Sequence, residues 1–107
     1  MSIDRRYPTK RSTILVLHGV LDYDNAAELR AAISDAVGRQ PVPERIIVDL
    51  SGVSEVDHAG IGTLVVGNRL CREIGIHLAV RNPAPLIRCL LGPDDVSAPV
   101  GDRQITA

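Results

Sequence analysis

The sequence predicts a small α/β domain in which strands of a mostly parallel or mixed sheet alternate with helices that pack on the sheet. Three short apolar runs, at residues 13–17, 46–48 and 77–80, have the length and the β-branched composition of buried strands. Between these runs the apolar residues recur at helical spacing. A chain of 107 residues has the size of one domain. We therefore expect a single domain over residues 1–107, with a core at about 13–92.

The end of each apolar run predicts the end of a strand. The first run stops at His18 and Gly19, the second at Asp49. Residues 3–7 form a candidate edge strand that a turn over residues 8–10 joins to the first run. Since Phe and Trp are absent, the core has to be built from aliphatic side chains.

The first helix begins after Asp22. Its apolar residues follow the spacing of one helical face: Leu29, Ala32, Ile33, Ala36 and Val37. Asn25 and Glu28 resemble a capping box at its start, and Gly38 suits the left-handed position after its end.

The second helix is expected over residues 58–73, with Asp57 as its N-cap and Gly75 after its end. At 100° per residue, one arc is apolar and is expected to face the core: Ala59, Thr63, Val66, Gly67, Leu70, Cys71 and Ile74. The solvent side carries the polar residues Asn68, Arg69, Arg72 and Glu73. Ile61 and Val65 fall on that solvent side, and Gly62 lies near its edge. The start of the helix is therefore predicted to expose aliphatic side chains as a docking patch, rimmed by Asp57, His58, Asn68 and Arg69.

A third helix is predicted from the Asn82–Pro83 start signal to Gly92. It carries Leu86, Ile87, Leu90 and Leu91. Residues 93–107 contain Pro99 and Gly101 and are expected to be mostly irregular.

The charge and hydropathy patterns exclude several classes of function. The formal net charge is −1, and the basic residues near the start, Arg5, Arg6, Lys10 and Arg11, lack aromatic partners for stacking on bases. No apolar run approaches the roughly 20 residues of a membrane helix, and the start lacks the apolar region of a signal peptide. We expect a cytoplasmic protein that neither binds nucleic acid nor inserts into a membrane.

Catalytic and metal-binding patterns are missing as well. His18, His58 and His77 lie on separate predicted elements, and Cys71 and Cys89 form no CxxC pair. The stretch from Gly60 to Gly62 matches neither a phosphate-binding loop nor a GxSxG nucleophile turn. Acidic residues lie near strand ends at positions 22, 24, 49, 55 and 57, but no nucleophile–base pair accompanies them. The sequence predicts a protein without enzymatic activity, cofactor or metal.

The run from Ile46 to Gly62, IIVDLSGVSEVDHAGIG, resembles the signature of STAS domains, the family of sulphate transporters and anti-sigma factor antagonists. In that family an apolar strand is followed by D-x-S-x-[LV] and then by D-[ST]-[ST]-G-[LI]-G at a helix start. The earlier LHGVLD run, residues 17–22, is similar to the family's first turn. The resemblance covers about residues 13–91.

The resemblance implies a four- to five-stranded mixed sheet with helices packed on one face. In bacterial antagonists the second hydroxyl residue of the motif is phosphorylated by an anti-sigma factor, a serine kinase of ATPase fold. The unphosphorylated antagonist binds that kinase and the phosphorylated form releases it. The implied partner-binding residues are Asp22, Asp24, Asp57, His58, Ala59, Gly60, Ile61, Gly62, Val65 and Arg69.

This chain departs from the pattern at the phospho-acceptor, because position 59 is alanine and position 58 is histidine. Alanine cannot be phosphorylated, so the usual release switch is lost. Ser51 and Ser54 are expected as loop hydroxyls, and Thr63 as an inward-facing helix residue. If the interface is otherwise intact, Val65→Glu should weaken partner binding without loss of stability.

Two other roles remain open on the sequence. One is a scaffold within a larger signalling or transport assembly, and the other is a module that senses a nucleotide or a lipid. The family's usual final amphipathic helix has no counterpart in residues 93–107. Surface left uncovered there would favour a partner or a homodimer.

Overall fold

The computed structural model describes residues 1–82, which form four strands and two helices. In chain order these are β1 (Ser2–Thr9), β2 (Ser12–Leu21), α1 (Ala26–Val37), β3 (Arg45–Val56), α2 (His58–Glu73) and β4 (His77–Arg81). The helix predicted from Pro83, the irregular tail and Cys89 lie outside the described residues.

The four strands form one mixed sheet in the order β1-β2-β3-β4. The edge strand β1 is antiparallel to β2, with Ile3 opposite Leu17 and Thr9 opposite Ser12 at the tight connection. The pairs β2–β3 and β3–β4 are parallel, with α1 and α2 as their crossover connections. The predicted α/β class, edge strand and strand order along the chain are confirmed.

Both helices pack on the same face of the sheet. Alternate strand residues point to that face and are buried against the helices: Leu15, Leu17, Ile46, Val48, Leu78 and Val80. From the helices, Leu29, Ile33, Leu64 and Cys71 complete the cluster. The intervening residues Val16, Ile47 and Ala79 are buried too. Burial on both faces explains why these strands read as continuous apolar runs.

Two strands continue past their predicted ends. β2 runs on through His18 and Gly19 to Leu21, and β3 runs through Asp49 to Val56. The two strands remain paired here, with His18 opposite Gly52 and Gly19 opposite Val53. The register shifts before His18 and again after Gly19. Ser51 and Ser54 are therefore strand residues, and their prediction as loop hydroxyls was wrong.

The predicted ends of α2 are confirmed and those of α1 are corrected. The Asp57 side chain caps α2, and Gly75 adopts a φ of 82° after the helix ends. Asn25 does not form a capping box, because its side-chain amide is hydrogen-bonded to Asp22 and Val20, which precede the helix. Gly38 has a φ of −81° and is not left-handed.

The buried face of α2 is rotated from the predicted one. The buried residues are Gly60, Leu64, Gly67, Asn68 and Cys71, whereas Ile61 and Val65 are half-buried and pack against the core. Val66, Leu70 and Ile74, which were assigned to the core, are 52%, 57% and 58% exposed. The helix presents its glycines to its neighbours: a side chain at Gly60 would meet Leu21 and Val56, and one at Gly67 would meet Ile33. A pattern of apolar side chains cannot reveal a buried face that depends on glycine.

Candidate docking site at the start of the second helix

The carboxylate of Asp57 joins the start of α2 to the loop between β2 and α1. Its Oδ1 accepts a hydrogen bond from the Gly60 N–H at 3.0 Å, which is an N-cap bond. Its Oδ2 accepts from the Tyr23 N–H at 3.0 Å. The Asp57 N–H in turn donates to the Leu21 carbonyl at 3.1 Å. Two hydrogen bonds therefore join the loop to the helix start, and the N-cap bond fixes the carboxylate that makes one of them.

The loop itself is ordered by a second acidic side chain. Asp22 Oδ1 accepts from the N–H groups of Asp24, at 3.0 Å, and Asn25, at 3.2 Å. Asn25 completes the turn, since its Oδ1 accepts from the Asp22 N–H at 2.8 Å and its Nδ2 donates to the Val20 carbonyl at 2.7 Å. These are local side-chain-to-backbone bonds that favour a turn over helix. They leave Asp24 exposed on the loop.

The site carries negative charge. The hydrogen bond from the Gly60 N–H, with further ones from Tyr23 and Ala59, lowers the pKa of Asp57 despite the opposing effect of desolvation. A charge on His58 lowers the pKa further. Asp57 is thus ionised at neutral pH, and Asp24 on the neighbouring loop is exposed.

The structure brings together most of the residues that the sequence assigned to the site. The loop that carries Asp22 and Asp24 is joined to the helix start through the bond from the Tyr23 N–H, between these two residues, to Asp57. His58 is exposed and Ala59 is half-buried, while Gly60 is buried against Leu21 and Val56. Ile61 and Val65 support the site from the core side. Arg69 is exposed and lies apart from these residues, about three turns beyond Asp57, or about 18 Å along the helix axis at 1.5 Å per residue.

Sequence reasoning missed a neighbouring groove and its aromatic residue. Tyr23 is 80% exposed at the mouth of a groove of about 330 Å³ between α1 and α2. The groove is lined mostly by small and aliphatic residues, with one arginine: Tyr23, Arg30, Ile33, Ser34, Ala59, Gly62, Thr63, Val66, Gly67 and Leu70. Tyr23 is one of only two aromatic residues in the chain, a signal that could have drawn attention to this loop.

The other acidic residue considered at a strand end, Asp49, has a structural environment. It is 6% exposed and accepts hydrogen bonds from the Ser51 N–H at 2.9 Å and from Arg81 at 3.1 Å. Burial raises the pKa of Asp49, but the hydrogen bonds from Ser51 and Arg81 outweigh it, so that the pKa is lowered overall. Both neighbours stabilise the carboxylate, which is the opposite of what a proton donor requires.

No group of three or more metal-ligating side chains occurs among residues 1–82. In the same part of the chain, neither helix is long and apolar enough to cross a membrane.

Comparison with known proteins finds a family model and a relative that each match most of this chain. The family model described as "Mlab, STAS domain" matches residues 7–92. An anti-sigma F factor antagonist of Lysinibacillus sphaericus is 30% identical over 80 residues, which are 75% of this chain and 68% of the relative.

Solved structures of antagonists superpose over most of the chain. The anti-sigma factor antagonist SpoIIAA in its unphosphorylated form gives a TM-score of 0.72 at 26% identity, covering 86% of this chain and 84% of SpoIIAA. The phosphorylated form of the Bacillus SpoIIAA gives 0.70 at 25% identity, over 83% and 79% of the two chains. A fold-level likeness, at 23% identity and a TM-score of 0.66, covers 78% of this chain and 14% of the murine anion transporter Slc26a9. The antagonist-like fold supports a regulatory, protein-binding role, and the chain belongs to the STAS domain family.

Proposed function

We propose that this protein is a bacterial regulator of the antagonist type. It docks through the start of α2 on an anti-sigma factor that is a serine kinase of ATPase fold, and phosphorylation at position 59 does not release it. The observation that carries the proposal is the double hydrogen bond of Asp57, which holds the β2–α1 loop and the helix start as one surface.

This surface suits a protein partner because its backbone is already ordered. The turn at Asp22 and the cap at Asp57 use local hydrogen bonds, so little conformational entropy has to be lost on docking. Ala59 and Gly62 are half-buried and small, so little side chain covers the backbone at the start of the helix. A partner with a basic or hydrogen-bond-donating patch complements the exposed carboxylates.

Loss of the hydroxyl at position 59 removes the family's release step. A phosphoryl group would add a charge of about −1.5 to −2. It would stand two residues after the ionised Asp57, so that the added charge would be repelled by that carboxylate and by any acidic group of the partner. The neighbouring Thr63 hydroxyl donates to the Ala59 carbonyl at 3.0 Å, and Ser54 donates to Gly19 at 3.4 Å. Neither hydroxyl lies at position 59, and both are engaged by backbone carbonyls.

The test restores the missing hydroxyl. Wild-type protein, Ala59→Ser and Ala59→Glu are used as baits in a lysate of the native organism, and the partners are identified by mass spectrometry. Ala31→Glu is the matched control, because Ala31 is an exposed alanine on α1 outside the groove lining. We expect wild type and Ala31→Glu to retain an ATPase-fold kinase and Ala59→Glu to lose it.

A second step uses the captured kinase and ATP. Ala59→Ser should gain one phosphate at position 59 and then dissociate, whereas wild type stays bound and unmodified at that position. Retention of the same partners by wild type and Ala59→Glu would contradict the proposal. An assembly of transport or other signalling proteins without a kinase would support the scaffold role instead.

A further inference from the structure

The groove of about 330 Å³ lies between two helices that run in the same direction, because α1 and α2 each connect neighbouring parallel strands. The helices touch where a side chain built on Gly67 would come within 3.1 Å of Ile33 Cδ1. At Gly62 such a side chain would meet nothing within 4 Å, so the space there is open. Pockets that hold small ligands have volumes of about 300–1,000 Å³, and this groove is at the lower end of that range.

Two hydrogen-bond donors on α1 line the groove. Arg30 and Ser34 are four residues apart, which places them on one side of the helix. Both are exposed, and within the described part of the chain neither side chain has a hydrogen bond or an ion pair. The Thr63 hydroxyl across the groove is already used, because it donates to the Ala59 carbonyl at 3.0 Å. A guanidinium beside a hydroxyl is a set of donors suited to one carboxylate.

The α2 side of the groove is apolar. Ala59 and Gly62 line it with a methyl group and bare backbone, and Val66 and Leu70 add larger aliphatic side chains. Tyr23 lies at one end and is 80% exposed. The apolar part of a ligand buried here would contribute about 25 cal/mol per Å² removed from water. The groove therefore has donors on one wall and apolar surface on the other.

The charges in and around the groove restrict the kind of ligand. Arg30 is the one charged side chain among the described residues that line it. At the Tyr23 end, the Asp57 carboxylate accepts from the Tyr23 N–H at 3.0 Å, and Asp24 on the same loop is exposed. A ligand with several phosphate charges would exceed the single cation and be repelled by these carboxylates. A ligand with one negative charge and an apolar body matches the arginine and the apolar wall.

We propose that this groove is a binding site for a monocarboxylate with an apolar body, namely a medium-chain fatty acid. The carboxylate lies at Arg30 and Ser34, and the body lies along Ala59 and Gly62 toward Tyr23. The chain's own continuation is a poorer occupant, because β4 lies on the side of α2 away from α1, and the described residues end there. The proposal does not depend on the kinase partner.

The test is a titration of the full chain with octanoate, without any partner, followed by two-dimensional amide NMR. Octanol has the same body without the charge, and acetate has the charge without the body. We expect octanoate to cause saturable shifts of the Gly62 and Gly67 amides, which line the groove. Each control ligand should bind at least about tenfold more weakly, because it lacks either the charge-assisted hydrogen bonds or the apolar burial.

Variants of the arginine test the carboxylate position. Arg30→Gln removes the charge and Arg30→Lys keeps it, whereas Arg6→Gln is the matched control at an exposed arginine of β1 outside the groove. We expect Arg30→Gln to raise the octanoate dissociation constant about tenfold, Arg30→Lys to raise it less, and Arg6→Gln to leave it unchanged. Gly62→Leu should also weaken binding, because its side chain would occupy the open space. Circular dichroism checks that each variant folds.

The proposal is overturned if octanoate binding is not saturable, if the shifts map outside the groove, or if Arg30→Gln binds octanoate as tightly as wild type does. A groove already filled by residues 83–107 or by a second copy would give the first of these outcomes, and sedimentation equilibrium would identify the second copy. Because no kinase is present, each outcome is distinct from a failure of the docking proposal.

Discussion

Gly60 and Gly62 stand two residues apart in α2 and have opposite surroundings. A side chain on Gly60 would lie 2.7 Å from Leu21 Cγ, 2.8 Å from Val56 Cγ2 and 2.9 Å from the Leu21 carbonyl oxygen. Gly62 has nothing within 4 Å. The first glycine lets the helix start approach β2 and β3, whereas the second only leaves its surface bare.

The same substitution should therefore act in opposite directions at the two positions. Gly60→Ala forces a methyl group into backbone and core and should lower the free energy of unfolding by about 1–3 kcal/mol. Gly62→Ala should raise it by about 0.5–1 kcal/mol, because alanine favours helix and meets no clash. Urea unfolding of the two variants beside wild type measures both effects. Equal effects of both substitutions would show that position 60 is not closely packed.

The sequence predicted the cap of α2 better than the geometry of the loop beside it. Asp57 could be identified as the N-cap because the preference for an acidic residue before a helix depends only on the local sequence. The loop geometry of Asp22 and Asn25 depends on hydrogen bonds to Val20 and to the turn itself, which compete with the capping box and are visible only in three dimensions.

At the scale of the elements, strands were predicted where both faces are buried and were missed where the pairing continues with polar residues. The apolar side chains of residues 46–48 indicate β3. The continuation of β3 to Val56 contributes Leu50 and Val53 to the core. Polar residues and a glycine separate them, so the apolar pattern is interrupted and the strand is revealed only by its backbone pairing with β2. The α2 face was misassigned for a related reason, because Gly60 and Gly67 provide its contacts.

Val65 and Val66 give a matched test of the corrected face. Val65→Glu, first expected to leave stability unchanged, should now lower the free energy of unfolding by about 1–3 kcal/mol, because the half-buried side chain packs against the core. Val66→Glu should change it by less than about 0.5 kcal/mol, since Val66 is more than half exposed.

Thermal or urea unfolding of the two variants beside wild type makes this comparison. A larger loss of stability for Val66→Glu than for Val65→Glu would instead support the face predicted from the sequence, with Val66 in the core.

At the scale of the whole molecule, three titratable groups act in the same direction. The pKa values of Asp49 and Asp57 are lowered from 3.8, and that of His77 is lowered from 6.5. Desolvation comes first for His77, followed by the positive charges of Arg45 and Arg72. In each case the folded state binds its proton less readily than the unfolded chain does.

Stability should therefore fall as the solution becomes acidic. A group with a depressed pKa contributes fully above its unfolded value and loses that contribution as pH falls. The His77 contribution should decline below about pH 6.5, and those of the two aspartates below about pH 4. Urea unfolding across this range should show both phases, and His77→Gln should flatten the upper one. An unchanged slope in that variant would assign the upper phase to another group.

The groove and the candidate docking site share Ala59 and Gly62. Any molecule that fills the groove would therefore compete with a partner for the start of α2. Control of this kind would be reversible, would follow the concentration of the competitor and would need no covalent mark on the protein.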